Sequence, residues 1–319
     1  MSRWVRDASR FLSALALCAG VALLVPRAAL AQEEQHGTAA AGHEEHGGEF
    51  DIQEYIGHHL TDSRTLDFTP FGEIHLPAFH VGPFDLSITK HVVFVWLAGA
   101  LMLAIFIPMA RSRATVRRGL HNFMEALVVY VRDQVAVANI GKEKAGPFVP
   151  YLLTLFFFIL FANLLGLLPF GATATSNWMV TGALALLTMV VAEGSSLKHL
   201  GVRGYVRQFL PIQMDSKSIV GKLLGLVLVG LIFVIEAISH ISRIVALTVR
   251  LAANMTAGHL LIFALIGMIF LFKSYAVAPV SVGFSAAVYL LEIFIALLQA
   301  FIFTLLTALF IGMAVQEHH

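Results

Sequence analysis

Charge is scarce in this sequence: Asp, Glu, Lys and Arg make up 13% of 319 residues, against 58% hydrophobic residues and a mean hydropathy of +0.81. A soluble domain of this length carries far more charge, so the composition excludes one and indicates a polytopic membrane protein. Cysteine is nearly absent. Cys18 is the only one and lies in an N-terminal segment expected to be removed, which excludes disulfides and thiolate metal sites from the mature chain. Proline is missing between Pro211 and Pro279, so nothing in that interval forces a helix to stop. The net charge of +1 is not gathered into a basic patch, and nucleic acid is not an expected partner.

The first 31 residues have the layout of an export signal. Arg3, Arg6 and Arg10 form a positive start, Phe11 to Val25 an apolar core, and Ala29-Leu30-Ala31 a cleavage pattern before Gln32. Residues 32–66 form a polar tail in which His36, His43 and His46 alternate with Glu33, Glu34, Glu44 and Glu45. Its composition cannot bury enough apolar area to fold, and it reads as a solvated periplasmic linker, not a metal site. In the short segment 67–90, Pro70, Gly72, Pro77, Gly82 and Pro83 punctuate two brief strand patterns, EIHL and FDLSIT.

Residues 91–315 form the membrane domain. Val92 to Ala110 is uncharged and long enough to cross a ~30 Å hydrocarbon core. Ala145 to Ala192 is too long for one crossing and is broken at Pro169, Gly171, Thr175, Ser176 and Asn177, giving a second and a third helix. Between the first and second, Leu120, Phe123, Met124, Leu127, Val128, Val131 and Val135 recur at helical spacing, with Arg117, Arg118, His121, Glu125, Arg132 and Asp133 off that stripe. This predicts an amphipathic helix on the membrane surface. Two further segments, Ser218 to Phe272 and Val282 to Val315, each exceed one upright span and must tilt, bend or break. The fold class is therefore all-α and polytopic, with about five transmembrane helices. Arg111, Arg113, Lys142 and Lys144 in one loop, and Lys198, Arg203, Arg207 and Lys217 in another, place both loops in the cytoplasm. The mature N-terminus is then periplasmic, the C-terminus cytoplasmic, and the location a bacterial inner membrane.

The polar residues of the last two segments carry the functional signal. Arg250 stands between uncharged stretches, Ile244 to Val249 and Leu251 to Ala253, and a guanidinium cannot neutralise itself when taken out of water. At a bilayer centre it costs roughly 2.5 to 3.5 kcal/mol on insertion scales. Glu236, Arg243 and Arg250 are spaced by seven and Asn254 follows by four, so all fall near one helix face. His240, four beyond Glu236, is able to join it, whereas His259 points about half a turn away from Arg250. Glu292 and Gln299 are again seven apart. Some of these groups serve as interhelical glue in membranes generally. Two carboxylates and two histidines in one apolar domain, however, can exchange protons as a relay requires.

The runs NLLGLLP (Asn163 to Pro169), TVRLAANMTAGHLL (Thr248 to Leu261) and LLEIFIALLQAFIFTLLTALF (Leu290 to Phe310) resemble subunit a of the F-type rotary ATP synthases, in the correct order and over about Leu120 to Ala314. The resemblance implies a proton-translocating stator subunit with two half-channels, in which the long helices form an inclined hairpin facing a ring of c subunits. It implies that Arg250 is the essential stator arginine and that Glu236 belongs to the cytoplasmic half-channel. Asn254, His259, Glu292 and Gln299 match polar positions around the other half-channel and the arginine. The His259 and Glu292 arrangement resembles mitochondrial forms, some bacterial forms having the two residue types exchanged. Ala252 replaces an aromatic frequent in the family. The implied partners are the c-ring, the b-subunit stalk, the rest of the complex and membrane lipid; no cofactor is implied, and the chain is a non-catalytic part of an ATPase. The competing reading is a secondary ion-coupled transporter, which predicts internal repeats with matching Gly or Pro breaks. The sequence has no such repeats.

Overall fold

The computed structural model describes residues 65–67, 73–75, 80–81, 84–85, 89–111, 119–168, 173–209, 219–272 and 277–315. The export signal and most of the His/Glu tail lie outside them. Before the membrane domain, β1 (Thr65–Asp67) pairs antiparallel with β2 (Glu73–His75), and β3 (His80–Val81) with β4 (Phe84–Asp85). Two strands were expected and four are present among the described residues: EIHL supplies β2 and FDLSIT supplies β4. Their partners, only three and two residues long, offer too short an alternation to be read in sequence.

The membrane domain is helical. Its elements are α1 (Lys90–Arg111), α2 (Leu120–Tyr130), α3 (Val149–Gly166), α4 (Trp178–Phe209), α5 (Ile219–Phe272) and α6 (Ala278–Val315). Among the described residues, five helices are long and apolar enough to cross a membrane, as expected: α1, α3, the Trp178–Lys198 part of α4, α5 and α6. The amphipathic helix α2 continues as a π-helical stretch over Val131–Val137 and ends at Ala138–Ile140. Met124, Val131 and Val135 of its apolar stripe are buried, whereas Leu120 and Phe123 stay exposed. Arg132 and Asp133 form a bidentate pair on its open side, at 2.7 and 3.0 Å. That hydrogen bonding holds the Asp133 carboxyl below its usual range and raises the guanidinium of Arg132.

The centre of the bundle is α3. It is apolar all round, as a helix covered on every side must be, and buries Leu152, Leu155, Phe156, Phe157, Ile159 and Phe161. Phe157 meets Phe106 of α1 edge-on at 4.7 Å, so α1 packs on one flank of α3 while α6 packs on another. Across from it α4 and α5 lie together, and α5 and α6 pack against each other.

Within the proline-free interval, Ile219–Phe272 does form one helix. At 54 residues α5 is about 80 Å long, far more than a bilayer's thickness. The start of α6 lies before the expected Val282, because Pro279 occupies the first turn, where its missing N–H is not needed. The second basic loop differs from expectation. Lys198, Arg203 and Arg207 lie on helical backbone of α4, which changes direction at Gly201 (φ 67°, ψ 171°) instead of ending. Only glycine adopts that conformation without strain.

Candidate proton-path site

One group of polar side chains is built where α3, α5 and α6 meet beside the 3-10 turn Ala174–Ser176. Asn163, late on α3, is fully buried; its amide donates to the Ala296 carbonyl of α6 at 3.4 Å, and its oxygen accepts from the Thr175 hydroxyl. Nearby, the Tyr289 hydroxyl of α6 donates to the Leu167 carbonyl at 2.9 Å. These bonds fix the turn between α3 and α4 against α6.

That turn in turn holds His259. The Thr173 hydroxyl and His259 Nε2 are joined in a hydrogen bond, and Thr173 itself is buried. Thr173 sits so close to Gly166 that a side chain there would overlap its Cα and Cβ, at 2.7 Å from each. The glycine of the NLLGLLP run is thus needed for the turn to approach α3.

Glu292 is buried on α6, and among the described residues neither carboxyl oxygen has a hydrogen-bond partner. Its carboxyl group lies directly over Gly258 of α5: a Cβ at 258 would stand 2.8 Å from Cδ and closer still to Oε1. His259 and Glu292 are therefore brought to neighbouring positions, yet the imidazole bonds Thr173, and no ion pair joins the two among the described residues. Gln299, two turns along α6, is buried as well.

The second group lies along α5. Glu236 and His240 meet across one helical turn at 3.1 Å, as their spacing predicts. The same imidazole reaches a further acid: its Nδ1 is 3.0 Å from Glu193 Oε1 of α4. Farther along, the Arg243 guanidinium stands 5.1 Å from the centre of the Phe310 ring on α6. Arg250 and Asn254 are exposed on the outer face of α5, and among the described residues no carboxylate lies within ion-pair distance of Arg250. The face around them is apolar, with Val245, Val249, Leu260 and Leu261 all exposed.

The seven predicted site residues thus fall into three places: Glu236 with His240; Arg250 with Asn254 on the outer face; and His259, Glu292 and Gln299 within the packed helices. Glu193, Thr173 and the contact of Gly258 with Glu292 were not read from sequence. A single acid in the otherwise uncharged Trp178 to Val191 continuation was a signal for Glu193; Thr173 had none, since a threonine in a turn is ordinary.

Comparison with known proteins agrees with this architecture. The family described as ATP synthase A chain matches residues 92–312. ATP synthase subunit a of Chloroherpeton thalassium is 45% identical over 268 residues, covering 82% of this chain and 77% of the relative. ATP synthase subunit a 2 of Prosthecochloris aestuarii is 46% identical over 303 residues, 92% of this chain and 89% of the relative. ATP synthase subunit a of Anaeromyxobacter dehalogenans is 39% identical over 302 residues, 89% of this chain and 77% of the relative. With the matched region spanning α1 to α6, this polytopic helical membrane protein belongs to the ATP synthase A chain family.

Proposed function

We propose that the chain is the proton-translocating stator subunit of a bacterial F-type ATP synthase, with Arg250 separating two half-channels. The observation that carries this is the exposure of Arg250 on an apolar face of α5 with no carboxylate in reach among the described residues. A guanidinium in that setting must find its counter-charge on another molecule. A ring of c subunits carrying one carboxylate each supplies it, and the two long packed helices α5 and α6 offer the surface.

On this reading a proton enters from outside past His259, Glu292 and Gln299 and neutralises a c-subunit carboxylate, which then rotates into lipid. After nearly a full turn that carboxylate reaches Glu236 and His240 and releases its proton to the cytoplasm. Arg250, with Asn254 beside it, favours the ionised carboxylate opposite and repels a proton crossing directly. A potential of 100 mV supplies about 2.3 kcal/mol per charge, which becomes torque only if that direct crossing is blocked. The basic residues around Arg111 and Lys198 support a cytoplasmic location for those ends and a periplasmic mature N-terminus. The b-subunit stalk and the remainder of the synthase complete the assembly.

Arg250→Ala tests the reading. The variant complex assembles but makes no ATP from an imposed proton gradient, and Arg250→Lys is also severely impaired, because lysine lacks the planar fork and sheds its proton when desolvated. ATP synthesis and passive proton flux in vesicles measure both. Near-normal synthesis by the alanine variant overturns the assignment.

A further inference from the structure

We propose that Glu193 is a third proton-carrying group of the half-channel containing Glu236, with the His240 ring passing protons between the two carboxylates. This rests on the function proposed above and extends it to a residue on a different helix. The two acids approach opposite nitrogens of one ring, Glu193 at Nδ1 (3.0 Å) and Glu236 at Nε2 (3.1 Å), both within hydrogen-bond range.

The chemistry of those contacts sets the proton count. A neutral imidazole has one donor and one acceptor nitrogen, and an ionised carboxylate only accepts. For both contacts to be hydrogen bonds, the triad must hold one proton more than a neutral ring and two carboxylates possess. That proton resides on Glu193, on the ring or on Glu236 without altering the charge of the whole. Transfer is then balanced: the Glu236 carboxylic acid gives its proton to Nε2 as Nδ1–H passes to the Glu193 carboxylate. One proton has moved from α5 to α4, and the ring has exchanged one neutral tautomer for the other. Tautomer exchange resets it once Glu193 has lost its proton to the medium.

Exposure sets the ring between the two acids. The ring is the most covered member, with 20% of its side chain exposed, against 31% for Glu193 and 40% for Glu236. Protons therefore have access to the triad through its two acids and cross it through the ring. Glu193 also lies five residues before Lys198, at the end of its span nearest the basic segment assigned to the cytoplasm. An acid at that point is placed to deliver protons to water, and in ATP-driven pumping to collect them.

The test uses the whole synthase in inverted vesicles, measuring ATP-driven proton pumping and, after removal of the soluble sector, passive flux. Glu193→Gln should slow both by about 10-fold, less than the roughly 100-fold or more that a positioned proton-transfer group contributes, since water substitutes in part. Glu193→Asp should recover most of the loss. Pumping by the Gln variant should change its dependence on cytoplasmic-face pH and keep its dependence on the opposite face. Glu193→Gln combined with His240→Gln should be no slower than His240→Gln alone, as expected for two members of one path. Normal flux and unchanged pH dependence in Glu193→Gln overturn the proposal, as does multiplicative loss in the double variant. Should Glu193→Gln fail to assemble, the pH profile of Glu193→Asp decides: near-normal flux with a shifted dependence on cytoplasmic-face pH supports a relay, and an unaltered profile reduces Glu193 to a clasp between α4 and α5. Failure of the underlying function is distinguishable, because there Arg250→Ala would retain coupling with Glu193 intact.

Discussion

Glycine at 258 is the condition for Glu292 to lie where it does, because a single methyl group would occupy the place of its carboxyl oxygen. The far end of a glutamate side chain can swing aside, so Gly258→Ala should leave the complex assembled and displace the carboxyl group by an ångström or so. Displacements of that size cost up to about 100-fold in rate where geometry matters. Proton-driven ATP synthesis at matched complex levels should accordingly fall by about 10-fold or more, and normal synthesis would show that the position of Glu292 is immaterial. Thr173 makes the complementary case. Thr173→Val keeps the shape and deletes the hydroxyl that meets His259 Nε2, at a cost of about 1 to 3 kcal/mol for the partly buried imidazole left behind. Slower proton entry, restored by Thr173→Ser, is the expected outcome in a flux assay.

Helices are joined here by backbone approach as much as by side chains. Gly312 of α6 stands against the Asn139 carbonyl at the end of α2, where a Cβ would overlap that oxygen and lie 3.0 Å from its carbon. Backbone cannot move aside as a side chain does. Gly312→Val should push α6 off the end of α2 and destabilise the chain by about 1 to 3 kcal/mol, the usual range for overpacking. Reduced yield of assembled complex and a lower unfolding temperature in detergent would report it, with little change in the pumping of the complexes that do form. Lys144 works at the same junction, donating to the Val315 carbonyl at 3.0 Å and so completing the C-terminal turn of α6. The extents of α1 and α5 and the end of α6 were legible in sequence because uncharged runs and the spacing of Pro and Gly act locally. The π-helical stretch of α2 and the kink within α4 were not, since each depends on neighbours that a linear pattern does not contain.

The assembled bundle separates its polar groups: His259, Glu292 and Gln299 within the packed helices, Glu236 and His240 part-exposed beside Glu193 of α4, and Arg250 with Asn254 turned outward. Such a division suits a molecule that works only beside a partner, and the expected orientation follows the same logic. If the tail faces the periplasm, the mature chain begins at Gln32, and N-terminal sequencing of membrane-extracted protein should find that residue. Recovery of Met1 would mean that the signal is retained as an anchor, and tail accessibility only from the cytoplasmic side would reverse the orientation and exchange the two half-channels.

Composition and periodicity sufficed for the membrane class and the number of spans, and three motif runs in order carried the family resemblance, because each is written in residue type and in spacing along the chain. The same spacing gave the contact of Glu236 with His240, which lie one turn apart on α5. It was silent on Glu193 at the other nitrogen of that ring, on Thr173 at His259 and on Gly258 under Glu292. Each of those contacts joins residues distant in the chain, and no helical period relates them. Packing of α4, α5, α6 and the turn after α3 brings them together, and with it comes the difference between a list of polar residues and a path that a proton can follow.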